Sequence, residues 1–319
     1  YVQLIMKILI VGAGAVGGYF GGLLAKGGED VVFLARGEHL KAIQKNGLSV
    51  KSIKGDFRIK VRAVDKLSDT ETFDLIIFAV KSYNLPDVCE TIENAVRDDT
   101  IIMSLLNGVD SEEVVGNFFG ADKVIGSVAF IGSQILEPGV ILHTASGMIT
   151  IGELTPPTIS SPSKGEGGGG GRCEEILGVF ERVGIPVKLS EDIKKDIWAK
   201  MVWNAGLNAI TALTCSMVSN VLSIPESRRI VEMAMKETVN VAKGRGIKLS
   251  EDIIEKTISK TLKAGDIKTS MLQDREKGRK MEIDSINGAV VMMGKELNIP
   301  VPVNETLYGG LKVINEGLI

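Results

Sequence analysis

The chain has 319 residues, room for two ordinary domains of roughly 100–200 residues each. Apolar residues make up 44%, charged residues 24%, and the net charge is −3, which describes a soluble globular protein without the basic surface that nucleic acid or an anionic membrane would require. Cys89, Cys173 and Cys215 form no CxxC pair, and His39 and His143 have no metal-ligand spacing. A disulfide framework is excluded, no metal is expected, and a reducing cytoplasm fits.

Met6-Lys7-Ile8 reads as a natural start, so residues 1–5 are treated as non-native or upstream sequence and left out of the fold. The uncharged run from Ile8 to Ala25 has the composition of a signal peptide or membrane anchor. Its six glycines, and the polar periodic segments after it, favour a continuing α/β fold and no membrane association. Lys7–Val11 is a strand, Val16–Lys26 a helix and Asp30–Leu34 a second strand. Leu48–Ser52 and Phe57–Lys60, joined through Lys54-Gly55, form a hairpin. Three further apolar strands lie at Leu75–Val80, Thr100–Ser104 and Lys123–Ala129, with helices at Leu85–Asn94 and Ser111–Phe118 between them. This alternation specifies a parallel sheet covered on both faces. Val140–His143 and Met148–Ile151 flank Ala145-Ser146-Gly147 and read as a second hairpin.

Residues 155–172, TPPTISSPSKGEGGGGGR, are too rich in proline, serine and glycine to bury a core. They are read as a mobile surface loop, either a lid or a tolerated insertion. Beyond residue 190 the pattern becomes helical, at Asp192–Leu213, Ile224–Lys243, Glu251–Leu262, Met281–Leu297 and Glu305–Glu316. The expected fold class is therefore α/β: an N-terminal Rossmann-type, doubly wound sheet over residues 1–190 and an all-α domain over 191–319.

The first strand runs into Gly12-Ala13-Gly14-Ala15-Val16-Gly17 and then directly into a helix. In that position the GxGxxG spacing is a dinucleotide fingerprint: the glycines allow a tight turn and a close backbone approach, and the helix N-terminus receives pyrophosphate. NAD enzymes place an acid at the end of the second strand, but here the chain reads Phe33-Leu34-Ala35-Arg36. Arg36 suits the 2′-phosphate of NADPH, the alternative being a solvated loop arginine. Lys81 and Asn107 follow strands and fall on the cofactor rim, where ordinary cap or turn roles are equally open.

Reduction of a ketone needs a proton donor beside the oxygen, and neither histidine is well placed for it. In IWAKMVWNAGLN, Lys200, Asn204 and Asn208 fan over only ~80° of a helix and form one polar stripe on an apolar segment. A ligand could satisfy that stripe, and burial would lower the lysine pKa from about 10.4 and improve it as an acid. An exposed stripe on an amphipathic helix remains the plain alternative.

GAGAVGG at 12–18, Arg36, VKSYN at 80–84, LNGV at 106–109, IWAKMVWNAGLN at 197–208 and SMLQDREKGRKMEIDSING at 270–288 together resemble the 2-dehydropantoate 2-reductase (ketopantoate reductase) family. The resemblance implies NADPH-dependent reduction of 2-dehydropantoate to (R)-pantoate, on the route to pantothenate and coenzyme A. It implies that Lys200 is the general acid and that Glu282 hydrogen-bonds the ligands and supports the lysine's charge. Asn204, Asn208 and Ser270 would hold the substrate, and Lys81 and Asn107 the cofactor and the reacting end. By pattern alone Glu282 is a surface carboxylate. Asn84 stands where many relatives have Gln, and Val218 where the family often has another substrate-binding asparagine, with Asn220 two positions on. A related 2-oxo-acid, hydroxy-acid or opine-type dehydrogenase is the neighbouring reading, and a non-catalytic NADPH-binding redox sensor a more distant one. A homodimer is compatible with the sequence, which leaves the oligomeric state open.

Overall fold

The strand β1 (Lys7–Val11) is buried on both sides, which is why KILIV is a continuous apolar run and not an alternating one. Ile8 and Ile10 enter one core and Leu9 and Val11 the other. The computed structural model describes residues 5–154 and 171–317. All of the Pro/Gly-rich stretch except Gly171 and Arg172, together with residues 1–4, lies outside the described residues. The chain divides into two compact units, one running through Leu106 and then Ser111–Ile193, the other made of Asn107–Asp110 and Lys194 onward.

In the first unit β1 is followed by α1 (Ala15–Lys26), β2 (Asp30–Leu34), α2 (Gly37–Asn46), β3 (Leu48–Ser52), β4 (Phe57–Ile59) and β5 (Arg62–Val64). Then come β6 (Leu75–Phe78), α3 (Leu85–Thr91), β7 (Ile101–Ser104), α4 (Ser111–Phe119), β8 (Val124–Glu137), β9 (Val140–Gly152), α5 (Arg172–Arg182) and β10 (Val187–Leu189). The run β5-β2-β1-β6-β7-β8 is parallel throughout. That is the 3-2-1-4-5-6 order of the doubly wound dinucleotide sheet. Phe20 and Leu24 of α1, Leu40 and Ile43 of α2, and Ile176 and Phe180 of α5 cover one face; Val88 of α3 and Val115 and Phe119 of α4 cover the other. The sheet continues through β9, antiparallel to β8, on to the β3–β4 hairpin, with β10 beside β9.

One expected turn is not a turn. The chain across Ala145-Ser146-Gly147 stays in the single strand β9, and the hairpin closes instead at Pro138-Gly139. Phe130 pairs with Met148 and Ile131 with Ser146, so Gly147 is an extra residue in a β-bulge. Ser146 and Gly147 both have positive φ, 59° and 80°, the backbone state that turns also use.

The second unit contains α6 (Ile193–Thr214), α7 (Val218–Ser223), α8 (Pro225–Gly244), α9 (Ile253–Lys263), α10 (Ser270–Glu276), α11 (Ala289–Glu296) and α12 (Pro302–Glu316). The helix expected over Met281–Leu297 is interrupted: Asp284–Gly288 is one π-helical turn, closed by Gly288 N–H donating to the Ile283 carbonyl at 2.9 Å. Buried polar side chains stitch the unit together. Glu237 of α8 accepts the N–H groups of Val303 and Asn304 at 2.9 Å each, satisfying donors that the first turn of α12 cannot satisfy itself. Among the described residues no helix is long and apolar enough to cross a membrane.

Candidate active site

The glycine-rich turn is built from backbone constraints. Gly12 has φ of 102° and its N–H donates to the Leu34 carbonyl at 3.0 Å; a Cβ there would lie 2.9 Å from the Ala79 oxygen. A Cβ on Gly17 would fall 2.0 Å from the Gly12 oxygen, so the helix can start this close to the strand only without one. Gly14, the N-cap of α1, is different: a Cβ there would meet nothing within 4 Å. The backbone thus faces open space at the point where Ala15 and Val16 begin the helix and its unpaired N–H groups collect.

That space is part of a pocket of about 230 Å³ walled by Gly12–Gly14, Ala35, Arg36, His39, Val80 and Asn84, among others. Arg36 is exposed and caps α2, and among the described residues no carboxylate lines the pocket. Glu29, just before β2, is engaged elsewhere: it accepts the Met6 N–H at 2.7 Å and pairs with Arg182 at 2.6 Å. Lys81, half-buried, caps the short 3-10 turn Ser82–Asn84, where its carbonyl accepts the Asn84 N–H. Asn84, at the end of that turn, reaches the pocket wall. Pocket and open cradle fit the end of a dinucleotide that carries a 2′-phosphate, which Arg36 and the helix N-terminus would hold.

The histidines diverge. His143 is completely buried in β9, bonded to Ser52 Oγ at 2.8 Å and the Ala145 oxygen at 3.0 Å, and stacked against Tyr19. It holds the core together. His39 also bonds backbone groups but lines the pocket beside Arg36. Burial pushes both imidazoles below their ordinary pKa.

The second group of residues is entirely within the helical unit. Lys200 is half-buried on α6, Asn204 is 4% exposed and Asn208 fully buried. Asn208 Nδ2 donates to Asn204 Oδ1 at 3.3 Å, while Asn208 Oδ1 is buried with no hydrogen-bond partner. An orphaned buried carbonyl costs about 1–3 kcal/mol, so the stripe is incomplete as it stands and fits a polar ligand. One turn on, Thr211 Oγ1 meets Thr269 Oγ1 at 2.7 Å, and Thr269 caps α10. This bond ties exposed Ser270, the first residue of α10, to α6.

Glu282 is buried at 7% exposure, not a surface carboxylate. The backbone around it is held by side-chain hydrogen bonds. Asn315 of α12 accepts the Met281 N–H at 2.9 Å and donates to the Met281 carbonyl at 3.0 Å. Ser285 Oγ donates to the Glu282 carbonyl at 3.2 Å, and Asn287 Nδ2 donates to the Ala205 carbonyl of α6 at 3.0 Å. Half-buried Asn107 follows β7 in sequence but packs with this unit, since Gly108 abuts the Ser285 carbonyl. Val218 is 1% exposed in the helical core while Asn220 is exposed, so the asparagine missing from the family pattern is replaced by a core side chain.

The family model described as ketopantoate reductase PanE/ApbA matches residues 8–156, and its C-terminal counterpart matches residues 192–315. A 2-dehydropantoate 2-reductase of Pyrococcus abyssi is 36% identical over 313 residues, covering 96% of this chain and 97% of that protein. The crystal structure of a 2-dehydropantoate 2-reductase from Geobacter metallireducens superposes with a TM-score of 0.88 at 34% identity, covering 96% of this chain and 99% of that one. D-mandelate dehydrogenase, in a ternary structure with NADH and anilino(oxo)acetate, shares the fold, with a TM-score of 0.87 at 23% identity over 98% of this chain and 99% of that one. The chain belongs to the ketopantoate reductase PanE/ApbA family.

Proposed function

We propose that the protein reduces 2-dehydropantoate to (R)-pantoate with NADPH. The observation that carries this reading is the Lys200, Asn204, Asn208 stripe on α6, with its unpaired buried Asn208 oxygen, in a chain that matches 2-dehydropantoate 2-reductases along nearly its whole length. Bound NADPH supplies the hydride for C2 of the oxo acid. Lys200 donates the proton to the C2 oxygen and stabilises the charge that develops there. Glu282, accepting hydrogen bonds, orients the substrate and keeps a negative charge available to the lysine. Asn204, Asn208 and Ser270 take the substrate's carboxylate and hydroxyl, and Asn107 serves the reacting end. Arg36 pairs with the 2′-phosphate, Gly12–Gly17 cradle the pyrophosphate, and Lys81 serves the cofactor's phosphates or ribose. On this reading residues 1–190 hold the cofactor and residues 191–319 the substrate.

Steady-state oxidation of NADPH and NADH with 2-dehydropantoate, beside pyruvate and 2-oxoisovalerate, tests the proposal. Turnover with NADPH and 2-dehydropantoate well above every other pair is expected. Turnover confined to another oxo acid would transfer the same machinery to that substrate, a second reading favoured by the core position of Val218. No turnover with any of them, with NADPH bound, would sink the catalytic reading.

A further inference from the structure

His39 joins two pieces of backbone that are far apart in sequence. Its Nε2 lies 2.8 Å from the carbonyl oxygen of Ala13 in the glycine-rich turn. The N–H of Gly139, in the turn between β8 and β9, donates to its Nδ1 at 3.1 Å. A carbonyl only accepts and an amide N–H only donates, so the two contacts together select the neutral ring protonated at Nε2. Burial, which lowers the imidazole pKa, favours the same neutral form. Both ring nitrogens are used, and each holds the other's geometry.

The Ala13 carbonyl shares a planar trans peptide with the Gly14 N–H. Anchoring the oxygen therefore fixes the plane and sets the direction of that N–H and of the helix start beyond it. The turn needs such an anchor. Glycines at 12 and 14 give it large backbone freedom, and the open space above Gly14 offers no side chain to steady it. A mobile turn would have to be ordered each time a phosphate docks, at the expense of affinity.

We propose that His39 is a positioning residue that preorganises Gly12–Gly14 for the pyrophosphate, through a Nε2–H···O=C bond to Ala13 braced from behind by the Gly139 N–H. The proposal rests on the reading of this pocket as an NADPH site. It differs from direct recognition of the nucleotide, which His39 could also offer from the pocket wall, and the experiment separates the two.

Calorimetric titration of wild type and His39→Ala uses three probes: NADPH, 2′-phospho-ADP-ribose and 2′-AMP, the last having no pyrophosphate. Loss of one neutral hydrogen bond corresponds to about a five- to tenfold loss of affinity. That loss is expected for NADPH and 2′-phospho-ADP-ribose, with less than about a twofold change for 2′-AMP. His39→Gln, whose amide nitrogen reaches about as far as Nε2, should restore most of the affinity; His39→Asn, which reaches only as far as Nδ1, should not. The Gln/Asn pair decides the matter by itself if the alanine variant fails to fold. Unchanged NADPH affinity, equal behaviour of Gln and Asn, or an equal loss on 2′-AMP would each overturn the proposal. Failure of the wild type to bind NADPH would instead overturn the cofactor reading beneath it.

Discussion

The two units make their sites by different means. In the sheet unit the site is mostly backbone: the glycine turn, the start of α1 and the end of β2, with Arg36 and His39 following within a few residues. In the helical unit it is side chains carried by segments far apart in sequence, α6 and the stretch around Glu282, joined by buried amides such as Asn287 to Ala205. A backbone site is encoded locally and depends on which residues are missing a Cβ. A side-chain site depends on the packing network behind it, so the two should fail differently when perturbed.

The largest expected effect comes from the helical unit. Lys200→Ala should lower kcat by at least ~10², the usual scale for losing a positioned proton donor, with NADPH affinity by fluorescence titration unchanged. Turnover near the wild-type rate would remove Lys200 from the chemistry.

Next in size is a change behind that site. Asn304 is fully buried; it donates to the Ala234 carbonyl and to Glu237 and accepts from Asn287. Asn304→Ala should cost about 3 kcal/mol of stability by leaving buried partners unpaired. Urea unfolding followed by the fluorescence of Trp198 and Trp203, both on α6, reports this loss where it occurs. If NADPH affinity falls with it, the two regions are less independent than their construction suggests.

Arg36→Ala acts on the sheet unit and should raise KM for NADPH about tenfold, roughly one charge-assisted contact, while leaving KM for NADH nearly constant. Equal effects on both cofactors would end the 2′-phosphate assignment.

The smallest effect expected is that of acid. Both histidines of the chain, His39 and His143, lie in the sheet unit with pKa values pushed down by burial. The native state then binds fewer protons than the unfolded chain, so stability is intact above the ordinary histidine value of about 6.5 and falls as pH drops below it. Urea midpoints at about pH 7 and about pH 5.5, read by the sheet unit's NADPH binding and by tryptophan fluorescence for the helical unit, should show the loss mainly in the former. A midpoint that rises on acidification would contradict the assigned neutral ring states.

The same contrast explains what could be read in advance. β1, β2 and the β3–β4 hairpin were legible because apolar runs bounded by turn residues carry their own signal, and the GxGxxG turn because its constraints lie between neighbours in sequence. The Ser146-Gly147 bulge was misread because positive φ serves turns and bulges alike, and the choice between them was made by the register against β8. Glu282 carried no local sign of burial; that depends on Asn315, the π-turn and the fit against α6.

Residue order alone therefore specified the strand–glycine turn–helix, the basic residue at the end of β2, and the polar stripe on α6, since each is a pattern of local spacing. Tertiary structure decided that His39 bonds the glycine turn, that Asn84 reaches the pocket wall, that Val218 belongs to the core, and that Glu282 is buried. These outcomes turn on which buried donors and acceptors meet across long sequence separations, and that is set only when the chain packs.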